Sequence, residues 1–263
     1  MNRALRTAAT GMFAQQVNID LISNNLANVN TTGFKKSRPE FQDLMYQTIK
    51  TNGIAEDGKT TEVAEIQIGN GAVPIATTKN FRQGDMSPTS NPLDIAIQGE
   101  GFFQIRRSDG TIAYTRDGSL KISSDGQLVT AQGYVVDPGI TFSSNTEEIS
   151  IARDGSIEVS EAGQSGQTKL GQVELAKFIN PAGLRAIGNN LFLETGASGQ
   201  PIVGAPGSEG FGELSQGALE SSNVDVVEEM ISMIVAQRAY EINSKTIKTV
   251  EEMLSMANNL KQG

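Results

Sequence analysis

Apolar residues recur at helical spacing on more than one face at each end of this chain, and this limits the possible folds more than any other feature. Leu5, Ala8, Met12, Ile19, Ile22, Leu26 and Val29 follow one another at coiled-coil steps, interrupted by the polar Gln15. A second row, Ala9, Phe13, Val17 and Leu21, lies on another side of the same predicted helix. Asn28, Asn30, Thr31, Thr32 and Gly33 then supply the turn chemistry that ends it. At the other end a helix is expected from Ser222 or Asn223, with Asp225, Glu228 and Glu229 at the positive end of its dipole. One of its stripes collects Ile231, Val235, Ala239, Ile242, Val250, Met253 and Leu260. The opposite stripe collects Val226, Met233, Tyr240, Ile247 and Leu254 at seven-residue steps.

Length turns this pattern into a demand for partners. A helix from Asn223 to Leu260 would be ~57 Å long, whereas a compact globule of 263 residues is roughly 47 Å across. Pairing the two terminal helices buries one stripe on each and leaves the others as apolar strips, the mark of an interaction surface. The competing arrangement is a helical pair packed on the β region of a monomer. Helix length and two-sidedness favour self-assembly, with both ends becoming helical as sister chains dock.

Between the ends the period changes from helix to strand. From Phe81 to about Ile202, apolar and polar residues alternate between turn dipeptides. Asp109-Gly110, Asp117-Gly118 and Asp125-Gly126 punctuate short β segments every eight residues, which predicts a meander of hairpins. Asp154 to Ser160 repeats the wording of Asp117 to Ser123. The expected fold is therefore α+β and mainly β, in three parts. Residues 1–34 and 222–263 form a terminal helical domain with a coiled-coil layer, residues 35–80 and 203–221 an extended connector layer, and residues 81–202 a hairpin-rich β domain.

Composition narrows the chemistry. The chain contains no histidine and no cysteine, the side chains on which most neutral-pH catalysis and zinc binding depend. A net charge of −9 without a basic run argues against nucleic acid as a partner. No apolar stretch reaches membrane-spanning length, and Met1 to Gln16 lacks the continuous apolar core of a cleavable leader. The Asp-Gly pairs lack the spacing of calcium loops, and Gly99-Glu-Gly101 reads as a turn or bulge and not a phosphate loop. No cofactor, metal or small-molecule substrate is expected. The enzymatic rival is a two-carboxylate cell-wall hydrolase, for which no particular pair stands out.

Ala8-Ala-Thr-Gly-Met12 and Asn18 to Phe34, with its run Ser-Asn-Asn-Leu-Ala-Asn-Val-Asn-Thr-Thr-Gly, closely resemble the N-terminal signature of the bacterial flagellar rod and hook family. Ser222 to Val227 and Ala236 to Lys245 resemble that family's C-terminal helix. Asn91 to Ile97, Gly99 to Phe103 and Tyr114 to Gly118 resemble its central β domain. Length and the segment Tyr46 to Ile68 look most like the distal-rod branch, with a proximal rod or hook subunit as the alternative. The resemblance implies a homopolymeric tube, with terminal helices innermost and the β domain facing the bushing rings. It also implies contacts with proximal rod proteins and the hook subunit, uncleaved type III export, and a location crossing the periplasm. The self-assembly residues it and the stripes nominate are Leu5, Met12, Ile19, Ile22, Asn25, Leu26, Asn28, Val29, Met233, Val235, Tyr240, Ile242, Ile247, Val250 and Leu254. Tyr46, Ile54, Ile66 and Ile68 fall in the segment associated, in that family, with a straight and stiff rod.

Overall fold

The structure, a computed structural model, describes residues 2–49, 66–143, 145–162 and 166–262. Helices α1 (Asn2–Ala27) and α2 (Val226–Gln262) bracket a region made mainly of strands. No described helix is long and apolar enough to cross a membrane. The chain divides into two compact units, each discontinuous in sequence. A helical unit contains Met1–Asn25, Ser37–Thr78 and Val226–Gly263, and a β unit contains Leu26–Lys36 and Lys79–Asp225.

In the helical unit, α1 has 26 residues and α2 has 37, about 39 and 56 Å of helix. No proline or glycine interrupts α2, and Glu228 and Glu229 occupy its first turn. A two-stranded ribbon completes the unit. Strands β1 (Ser37–Asp43) and β4 (Ala72–Lys79) pair, and beyond them β2 (Gln47–Ile49) pairs with β3 (Ile66–Ile68), antiparallel with Gln47 opposite Ile68. Between the two pairs, Leu44 N donates to Gly71 O at 2.8 Å and Asn70 Nδ2 to Met45 O at 2.6 Å. The ribbon packs on α1 at Gly71, whose φ of +109° and closeness to Thr7 and Thr10 leave no room for a side chain.

The β unit is organised around an antiparallel sheet. The strand Phe102–Arg106 is central to it, flanked by Ile112–Thr115, Val135–Val136 and Leu175–Lys177. Alternation along that strand sends Phe103 and Ile105 to one face and Phe102 to the other. Phe103 and Ile105 join Ile95, Ile97, Leu120, Leu128, Ile157 and Leu175 in the main core. Phe102 joins Tyr114, Phe178 and Phe192 in edge-to-face contacts. A three-stranded sheet, Thr146–Ile151, Ser156–Glu161 and Gln167–Gln172, contributes Ile157 and Val159 to the main core.

Two sequence expectations change here. The meander breaks at Asp117-Gly118, because Ile112–Thr115 pairs with Phe102–Arg106 and with Leu191–Leu193, whereas Leu120–Ile122 pairs with Leu128–Thr130. At Asp109, Asp117 and Asp154 the carboxylate accepts the backbone N–H and the hydroxyl of the residue two places on. This local turn is therefore shared by the hairpins and by the crossing at Gly118, whose C=O accepts from Ile95 N at 3.0 Å and which has no room for a Cβ beside Ile95 O. Helix α2 also starts at Val226, later than Ser222 or Asn223. Asn223 is committed elsewhere: its Oδ1 accepts from Lys36 N at 2.8 Å and its Nδ2 donates to Asn80 O and Arg82 O.

Candidate assembly interface

Helices α1 and α2 run antiparallel in the helical unit. Asn25 Nδ2 donates to Glu229 Oε2 at 3.2 Å. Fourteen residues back along α1 and fourteen on along α2, Gly11 faces Asn243, whose Nδ2 would lie 2.9 Å from a Cβ at position 11. Both contacts belong to one register two heptads apart. Ala8, Ala14, Ile22 and Asn25 on α1 and Glu229, Ala236 and Val250 on α2 are buried. The facing surface is thus made of small and polar groups more than of large apolar ones.

On α2 the inward face runs Glu229, Met233, Ala236, Tyr240, Asn243, Ile247, Val250 and Leu254, at alternating steps of four and three. Four members of the predicted seven-step stripe fall on this row: Met233, Ile247 and Leu254 are half-buried, whereas Tyr240 is 40% exposed. Val250, read from sequence as part of the other stripe, is 5% exposed and joins this face. Eight residues past Ile242 the helix has turned about 80° beyond two full turns, which carries Val250 away from Ile242. The other stripe faces outward: Ile231 is 58%, Val235 63% and Ile242 63% exposed. Val227, Met230 and Ile234 are exposed beside them and widen the strip. Their spacing of three and four was present in the sequence, but a seven-residue template passes over it. Farther along, Ile242, Lys245, Thr246, Thr249, Val250 and Met253 line a shallow groove of about 310 Å³.

Of the other nominated residues, Leu5, Met12 and Ile19 on α1 are half-buried and Ile22 is buried. In the β unit, Leu26, Asn28 and Val29 are half-buried, and Asn28 Oδ1 accepts from Thr31 Oγ1. Phe13, from the second α1 row, is exposed. In the ribbon, Tyr46 is exposed and lies against Gly69, Ile68 is exposed, and Ile66 pairs through its backbone with Ile49. Ile54 lies outside the described residues.

Sequence reading did not single out the most heavily buried ionic cluster of the β unit. Lys35 and Glu220 are each 1% exposed. Lys35 Nζ meets Glu220 Oε1 at 2.6 Å and donates to Arg82 O at 2.8 Å. Arg116 Nη1 approaches Glu220 Oε2 at 3.4 Å, and its Nη2 donates to Gly99 O at 2.7 Å. Gly84 N also donates to Glu220 Oε1. Burial drives the Lys35 pKa below its ordinary value, with Glu220 opposing that shift. Beside the cluster, Gly33 has φ +67° and donates to Glu220 O at 2.8 Å, and a Cβ there would lie 2.8 Å from the Arg116 backbone. The cluster thus joins the segment after α1 to the segment before α2 within the β unit. Lys35 and Arg116 do fall in or beside the motifs Asn18–Phe34 and Tyr114–Gly118, which was the available signal.

The chain thus has terminal helices with an exposed apolar strip on α2 and a separate β unit, and comparison with known proteins gives it a class. Residues 5–35 match the family model for flagella basal body rod protein, residues 96–159 that for the flagellar hook protein FlgE/F/G D1 domain, and residues 215–260 that for the flagellar basal body rod FlgEFG protein C-terminal region. The chain is 54% identical to the flagellar basal-body rod protein FlgG of Borreliella burgdorferi, covering all of both chains. It is 48% identical to that of Caulobacter vibrioides over 98% of this chain and 99% of the relative. It is 40% identical to that of Bacillus subtilis over the full length of both. The chain belongs to the FlgG family of flagellar basal-body rod proteins.

Proposed function

We propose that this chain is a structural subunit of the distal rod, the drive shaft of the flagellar basal body, and that it polymerises through its terminal helices to carry torque from motor to hook. The observation that carries the reading is the two-faced α2. One face is turned to α1, while Val227, Met230, Ile231, Ile234, Val235 and Ile242 form an apolar strip toward solvent. Full-length similarity to rod proteins supports copies of the same chain as the cover. In this reading α1 and α2 line the tube as a coiled-coil layer, the connectors surround them, and the β unit faces the bushing rings. Proximal rod proteins and the hook subunit cap the two ends of the polymer. The chain crosses the inner membrane uncleaved through the type III apparatus and assembles across the periplasm, with the segment from Tyr46 to Ile68 stiffening the shaft.

Ile242→Glu tests the assembly face, because a side chain already 63% exposed can accept a charge without disturbing the subunit. Electron microscopy of the concentrated variant should show no rods, while circular dichroism and the melting of the β unit match the parent. Rods of normal abundance would remove the outward stripe from the interface. The relatives are named as rod proteins, and their names point to no hydrolase.

A further inference from the structure

Apolar patterning alone does not fix how α1 aligns on α2. Along the inward face of α2, Met233, Tyr240, Ile247 and Leu254 repeat every seven residues, so sliding α1 by one heptad, ~10.5 Å, offers it an equivalent apolar row. Within the β unit, Lys36 N–Asn223 Oδ1 and Gly33 N–Glu220 O hold the chain that follows α1 to the chain that precedes α2, and inside the helical unit a further contact must complete the selection.

Asn25 has the position and the bonding to do so. It is 2% exposed. Its Nδ2 donates to Ser37 O at 2.9 Å and to Glu229 Oε2 at 3.2 Å, and its Oδ1 accepts from Ser37 N at 2.9 Å. One side chain therefore links α1, the start of β1 and the first turns of α2. A slip of one heptad would move Asn25 opposite Ala236 in one direction, or opposite Ser222, ahead of the helix, in the other. Either slip takes Asn25 from the buried Glu229 carboxylate, and removing a hydrogen bond from a buried charge is costly. A buried asparagine that fixes register at the expense of apolar contact is a known device of paired helices.

We propose that Asn25, bonded to Glu229 and Ser37, is the register lock of the α1–α2 hairpin. It selects one heptad alignment and so sets how far α2 runs past α1. The lock is intramolecular; its consequence for polymer geometry rests on the rod reading above.

Because the chain has no cysteine, disulfide trapping can read the register directly. The native alignment places Asn18 opposite Ala236, and a one-heptad slip places Asn18 opposite Asn243. Full-length chains carrying Asn18→Cys with Ala236→Cys, or Asn18→Cys with Asn243→Cys, are oxidised dilute, and intramolecular cross-links are quantified by peptide mapping. Chains outside the hairpin cross-link both pairs alike by chance encounter, so the yields obtained in urea are subtracted before the ratio is taken. With Asn25 present the native pair should dominate by at least about tenfold, the preference one hydrogen bond to a charged group can supply. Asn25→Leu should bring the ratio close to one, Glu229→Leu should do the same, and Glu229→Gln, which can still accept from Asn25, should preserve it. An unchanged ratio in Asn25→Leu, or no native cross-link with Asn25 in place, overturns the proposal. Loss of rods with an unchanged ratio would count against the lock and leave the rod reading standing; an altered ratio in chains that never form rods would do the reverse.

Discussion

Glu220 faces two cations inside the β unit, Lys35 and Arg116, and that imbalance determines what its loss does. Glu220→Gln leaves both cations buried without their carboxylate, which should lower the stability of the β unit by ~3–5 kcal/mol, measured by urea denaturation near neutral pH. The pH dependence has a definite sign. The Lys35 pKa in the fold lies below its ordinary 10.5, so the unfolded chain binds the extra proton between the two values and stability rises with pH in that window. Removing Glu220 takes away the interaction that opposes the shift, so the window widens downward and the variant should recover part of its deficit as pH approaches 10.5. A deficit that is small, or that grows with alkalinity, would contradict this account of the cluster. At this scale the sequence was least informative. Lys35 and Glu220 are 185 positions apart, and a lysine after a helix or a glutamate in a short strand looks solvated until the fold brings them together.

The elements were far more legible, because period and punctuation are local. Steps of three and four gave α1 and α2, and alternation with Asp-Gly turns gave the strands. Failures came where a distant contact outweighed local wording. Asn223 spends its side chain on Lys36, Asn80 and Arg82, so α2 starts later than its capping residues suggest. Strand order likewise departs from the meander at Gly118, where the Ile95 backbone crosses. Register also shows what length does. Continuing the alignment set by Asn25–Glu229 and Gly11–Asn243, residues 253–262 of α2 run past the first described residue of α1, and Met253 and Met256 there are exposed. Removing residues 253–262 should leave both of those contacts intact and raise the concentration needed for polymerisation by at least about tenfold, read by sedimentation. This corresponds to roughly 1.4 kcal/mol of lost subunit contact. Unimpaired assembly of the truncated chain would show that the projecting segment is not buried in the polymer.

For the whole molecule, the two units differ in what holds them. The β unit has a contiguous core around Phe103, Ile105, Leu128 and Ile157 and a second aromatic cluster around Phe102. Among the described residues of the helical unit, the buried apolar side chains are Ala8, Ala14, Ile22, Ala236 and Val250, a thin core for helices of 26 and 37 residues. On the proposed reading, the rest of the helices' stability comes from apolar faces covered on assembly. Hydrogen exchange of the dilute chain and of assembled rods measures this directly. Amides of α1 and α2 should exchange rapidly in the dilute chain and slowly in rods, while those of the β unit are protected in both. Terminal helices as strongly protected in the dilute chain as the β unit would contradict the account.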